Sequence, residues 1–167
     1  MVSTIKDLYT ASSAVTISPA SLASDANFLA GREGTAIDNT TTLALDYMLA
    51  GYITVGTNPT TAKEIRIYVV GTLADASWPD VFDGTDSAET VSNAGIRDSV
   101  CKLAASIATV ATSDLAYPFG PISVASLFGG NLPLKVSVFV VHNTAVNLNA
   151  TAGNHVISIT PKHLQIV

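Results

Sequence analysis

A chain of 167 residues can bury one substantial core but is too short for two comfortable domains. Its net charge of −5 and pI near 4.9 leave no basic stripe for nucleic acid, and its single cysteine, Cys101, excludes an internal disulfide framework. Hydrophobic residues make up 48%, against disorder, while charged residues make up 13%, about half the ~25% usual in soluble domains. Ala, Ser, Thr, Asn and Gly stand in for the missing charge, as suits a surface partly hidden against neighbours. Met1 is followed by no apolar signal core, and no apolar run reaches the ~18 residues of a membrane helix. Cytoplasmic synthesis and no membrane partner are therefore expected.

Residues 1–25 read as an N-terminal arm with one short strand, Ala14–Ile17, ended by Ser18-Pro19. Ser18–Thr42 is polar and loop-like, and Arg32 there has Glu33 and Asp38 as nearby carboxylates. Leu43–Val55 reads as a strand with a bend or bulge at Gly51, placing Leu43, Leu45, Tyr47 and Leu49 on one face. After a turn at 56–61, Lys63–Gly71 is a second strand, with Ile65, Ile67 and Val69 inward and Glu64, Arg66 and Tyr68 outward. The two are expected to form a hairpin.

A long loop, 73–97, follows, rich in acids (Asp75, Asp80, Asp83, Asp86, Glu89) and carrying the sole tryptophan, Trp78. Asp98–Val110 reads mainly as strand, with Cys101 as a buried structural thiol. Ala116–Val124 is an edge strand or strand entrance, because Pro118 and Pro121 cannot donate to a ladder; Ser126–Phe128 suits a helical turn. Leu134–Asn143 is the most strongly β-forming run. A polar turn at 147–154 leads to a last strand, His155–Thr160, ended by Pro161, with a short amphiphilic tail. The pattern predicts an all-β fold: one β-sandwich domain over 26–167, most simply a jelly roll.

Candidate chemistry is sparse. Asp80, Asp83, Asp86 and Glu89 space carboxylates every third residue, which does not match the alternating ligands of a calcium hand. His142, His155 and His163 lie near strand ends, and two histidines without a third ligand make a weak metal set. There is no G-x-S-x-G elbow, phosphate loop or dinucleotide fingerprint. No catalytic residue, metal or cofactor is expected, and the chain is not expected to be an enzyme.

The strand Leu134–His142 is apolar on both faces in its second half, where Phe139 and Val141 join the outer side. A solvated sheet stays polar outside, so something covers these residues: the 73–97 loop, another subunit, or both. Assembly, with the loop contributing, is the reading adopted from the sequence. The candidate interface residues are Trp78, Phe82, Asp83, Asp86, Phe139, Val141, Arg32 and Glu33.

Stretches of the chain carry a family likeness: Ala30-Gly31-Arg32-Glu33 with Ile37-Asp38-Asn39, the run Trp78–Glu89, Tyr117–Val124 with Leu127–Gly130, Phe139–Thr144, and Asn149–His155. In these the chain resembles small virion proteins of tailed bacteriophages, found among head-structural proteins. The resemblance implies a capsid decoration or cement protein: a jelly-roll-like domain on the outer capsid surface that bridges major capsid proteins. It also implies a homo-oligomer, a trimer rather than a dimer. Alternatives are a tail or head-fibre component, or a carbohydrate-binding sandwich using Trp78, Tyr117 or Phe119 as sugar platforms.

Overall fold

The computed structural model describes residues 4–74 and 77–167. Two antiparallel sheets make up most of it, as expected for an all-β sandwich. Sheet one contains β1 (Ile5–Tyr9), β2 (Ser13–Ala14), β5 (Asp46–Thr54), β9 (Ala116–Ser123) and β11 (Val156–Ile166). Its order is β1-β11-β5-β9, with β2 also on β11. Sheet two contains β3 (Ala30–Glu33), β4 (Ile37–Asp38), β6 (Lys63–Thr72), β7 (Ser87–Thr90), β8 (Cys101–Thr109) and β10 (Lys135–His142). Its order is β7-β3-β10-β6-β8, with β4 also on β10. Short helices occupy Asn39–Thr42 (α1), Ala94–Val100 (α2) and Val124–Leu127 (α3).

Inward-facing side chains of both sheets form one core. Tyr47, Leu49 and Ile53 of β5 and Ile157 and Ile159 of β11 meet Ile65, Ile67 and Val69 of β6 and Val136, Val138 and Val140 of β10. Strand β10 sits mid-sheet, with β6 on one side and β3 and β4 on the other, and is buried almost throughout. Its apolar character on both faces follows from that place. The bulge expected at Gly51 falls instead on the neighbouring strand: between Leu49 and Gly51 the pairing with β9 shifts register, Gly120 and Pro121 facing Ala50, while Gly51 itself pairs regularly with Ile157. A Cβ there would overlap the carbonyl of Val156, so the position admits only glycine.

Several expectations are corrected. β5 and β6 are not a hairpin; they lie in opposite sheets. Alternation says which residues face inward but not whether two inward-facing strands lie side by side or across the core. For the same reason β9 and β10, on either side of Gly129-Gly130, belong to different sheets. The N-terminal arm is no separate unit, because β1 and β2 complete sheet one against β11. The Ser18–Thr42 stretch is not all loop but supplies β3, β4 and α1. Leu43 and Leu45 are exposed, unlike Tyr47 and Leu49.

The last strand continues through Pro161 to Ile166. Pro161 turns its missing N–H to the same side as its carbonyl, which accepts from Thr10 N–H at 3.0 Å, in the gap between β1 and β2. No ladder donor is lost there, so the proline does not stop the strand. Residues 98–100 are helical: Asn93 caps α2 by accepting from Ile96 N–H, and β8 begins directly at Cys101. As expected, β9 with its prolines is an edge strand.

Candidate functional site

The excursion between β6 and β8 lies over the outer face of sheet two. Tyr68, Val70, Phe139, Val141 and Cys101 point outward from the sheet into a second apolar cluster. Phe28, Phe82 and Val91 close it from above, with Trp78, Val81, Ile96 and Val100 packed around them. Phe82 meets Phe139 edge to face, ring centroids 5.1 Å apart. The cover that Phe139 and Val141 demanded is therefore supplied by this chain. Of the interface candidates, Phe82, Phe139, Val141 and Glu33 are buried within this chain itself. Trp78, Arg32 and Asp86 are half-buried in the cap, and Asp83 is exposed. Tyr68, expected outside, is under the cap as well.

The evenly spaced carboxylates staple the cap. Asp80 accepts from the Ser92 hydroxyl at 2.6 Å and its N–H at 3.0 Å, and both hold its pKa below the usual range. Asp83 does the same with the Thr85 hydroxyl and N–H. Asp86 accepts from Arg32 Nε at 2.6 Å and from the Ser18 hydroxyl and N–H. Burial acts to raise its pKa, but these donors outweigh it and hold the carboxyl low. Arg32 therefore pairs with Asp86, 54 residues away, and not with Glu33 or Asp38. Asp75, the remaining aspartate of the excursion, lies outside the described residues.

Glu33 is fully buried beneath the cap and accepts from the N–H groups of Gly84 at 2.9 Å and Asp83 at 3.2 Å. Burial raises its pKa despite these donors. Gly84 has φ +76°, and a Cβ there would sit 2.9 Å from both Ala36 and the Trp78 ring, so the turn over Glu33 is closed to side chains. Glu33, Asp83 and Glu89 bring carboxylate oxygens within 4.8 Å of one another. Each already has donors in the chain: the cap amides for Glu33, Thr85 for Asp83 and the Ser87 hydroxyl for Glu89. Calcium seeks about six to eight oxygens, well beyond what these three supply.

A groove of about 510 Å3 flanks the cap, lined by Arg66, Tyr68, Arg97, Lys102 and Ser106 among others. Its cations are engaged locally. Arg66 lies 3.9 Å over the Phe28 ring and bonds Glu64 at 2.8 Å. Arg97 bonds Asp98 at 2.8 Å and donates to the Asn27 carbonyl, tying α2 to the loop before β3.

The histidines and the cysteine also serve the fold. His142 Nε2 donates to the Leu22 carbonyl at 3.0 Å, and its Nδ1 lies 2.9 Å from the Thr144 hydroxyl. Burial lowers its pKa from 6.5 to about 4. His155 Nε2 donates to the Asn149 carbonyl at 2.8 Å, and burial lowers its pKa too. Burial pushes the Cys101 thiol up to about 12, so the thiolate is scarce at neutral pH. No helix among the described residues is long and apolar enough to cross a membrane. No protein-family model matches the chain, and comparison with curated proteins and with solved structures finds no match.

Proposed function

We propose that this chain is a structural virion protein of a tailed bacteriophage, a decoration or cement protein that binds the outer capsid surface and bridges major capsid proteins. The observation that carries the reading is the strand order. β1-β11-β5-β9 facing β7-β3-β10-β6-β8, with the chain crossing between sheets at most connections, is an order the jelly-roll reading calls for. The likeness of residues 30–155 to head-structural proteins supports it, as does the low charge. In this reading the work of the protein is mechanical. A stiff sandwich with its long excursion stapled down buries area across capsid junctions and opposes the outward pressure of packaged DNA.

The carbohydrate-binding alternative loses two of its three platforms, since Tyr117 and Phe119 are core residues. Co-sedimentation with heads of the encoding phage tests the proposal. Binding to expanded but not immature heads is the expected result; failure to bind any head lattice would sink it.

A further inference from the structure

The outermost strands of the two sheets are β1 and β9 in sheet one and β7 and β8 in sheet two. Three of these edges are blunted against pairing. β9 carries Pro118 and Pro121, which have no N–H to offer, and β1 is five residues long with Lys6 and Asp7 in it. β7 is four residues long and carries Glu89. The fourth edge, β8, has nine residues and one charge, Lys102. Its first half is interrupted, because the pairing with β6 shifts register between Ile67 and Tyr68. From Ala105 to Thr109 the strand pairs regularly with β6 and holds no charge and no proline. Among the described residues, no backbone hydrogen bond joins residues 102–108 to anything but β6. The free side of β8 is therefore a row of unpaired N–H groups and carbonyls.

The groove of about 510 Å3 beside the cap flanks this strand. Lys102, Leu103 and Ser106 of β8 line it together with Arg66 of β6 and Arg97 of α2. Three of the chain's eight lysines and arginines stand there with two of its thirteen acids, Glu64 and Asp98, so the groove is net positive on a chain of −5. Its cations are positioned without being used up. The hydrogen bond from Arg66 to Glu64 uses Nε alone, and the Phe28 ring under the guanidinium holds it in place. Lys102 spends one of its three N–H groups on the Ser99 carbonyl, at 3.0 Å.

We propose that the Ala105–Thr109 edge of β8 takes up an extended acidic segment of another protein as an added strand, with the segment's carboxylates turned to Arg66 and Lys102. The cross-strand register places Arg66 beside Ser106, in the middle of that edge. Backbone pairing selects a polypeptide over other polyanions, and the charge of the groove selects carboxylates over cations. A second copy of this chain fits less well. Paired edge to edge it would set two net-positive grooves side by side, and β8 itself brings no acid to either. This contact goes beyond the capsid reading and does not depend on it.

A blocked heptapeptide alternating valine and glutamate is the probe. Added to the full chain, it should slow amide exchange in residues 105–109 and bind about tenfold or more tightly than its valine–lysine counterpart. Of two versions N-methylated on alternate amides, one should bind and the other should not, because only one edge of an added strand faces β8. Lys102→Glu should weaken binding by about tenfold or more, with circular dichroism and melting temperature retained, while Leu164→Glu, exposed on sheet one, should leave binding unchanged. No slowing at 105–109, equal binding of the lysine peptide, or two N-methylated versions that behave alike would overturn the proposal. No phage particle enters this test, so a negative result leaves the decoration role standing and a positive one does not establish it.

Discussion

His142 shows how a side chain that suggested chemistry is used for folding. It is buried at the end of β10, where its ring holds the Leu22 carbonyl and faces the Thr144 hydroxyl. Its folded pKa is about 4 against 6.5 when exposed, so the unfolded chain binds the proton more tightly. Stability from this group is full above pH ~6.5 and falls as pH drops toward 4, by about 3 kcal/mol in all. His155 acts in the same direction, while Asp25 nearby opposes the shift in His142. Urea unfolding between pH 7 and pH 4.5 should show this slope. His142→Asn should be less stable at pH 7 and have a flatter slope; an unchanged slope would place the titration elsewhere.

The depressed carboxyls Asp80, Asp83 and Asp86 add stability that is lost only below the ordinary aspartate range, as each is protonated. Asp86→Ala leaves Arg32 and Ser18 without their acceptor and should cost about 2 kcal/mol in chemical denaturation. The Arg32–Asp86 pair was not legible in the sequence. Charge pairing there was read from neighbours along the chain, whereas β3 and β7 bring Arg32 opposite Ala88 through sheet pairing.

At the scale of elements, the cap is the feature that sequence reasoning reached most nearly. The alternation of β10 showed that Phe139 and Val141 needed a cover, and Trp78 and Phe82 in the excursion between β6 and β8 were the aromatic anchors at hand. What alternation did not reveal was that the cover is complete within one chain and built partly from α2 and the Phe28 loop. Phe82→Ala should therefore act as a core truncation, costing about 3–4 kcal/mol and exposing the second cluster to a dye such as ANS. A cost under about 1 kcal/mol would show that the cap rests on the sheet only loosely. The strand placed least well is β11. Pro161 reads as a terminator unless the neighbouring strand is known to have a gap opposite it, and that gap is a fact of tertiary structure.

The whole molecule exposes 7957 Å2 of surface, close to the roughly 7,800 Å2 expected of a compact monomer of this mass. The shape therefore does not require a partner. With charged residues at 13%, and the buried Glu33 and Arg97 held by backbone hydrogen bonds and, for Arg97, by Asp98, salt should matter little. The melting temperature should move by only a few degrees between 0.05 and 0.5 M NaCl, and a larger change would mean that surface charge carries more of the stability than this account allows.

The overall sandwich was legible because turn signals and alternation recur along the chain. The division of strands between sheets was not, because inward-facing positions look alike in either sheet. The proposed place of this sandwich, as an outer-surface building part of a phage head, is open to cryo-electron microscopy of intact particles of the encoding phage. Density for the sandwich is expected outside the shell, spanning neighbouring capsid subunits. Density confined to the tail, or none on a head known to contain the chain, would contradict it.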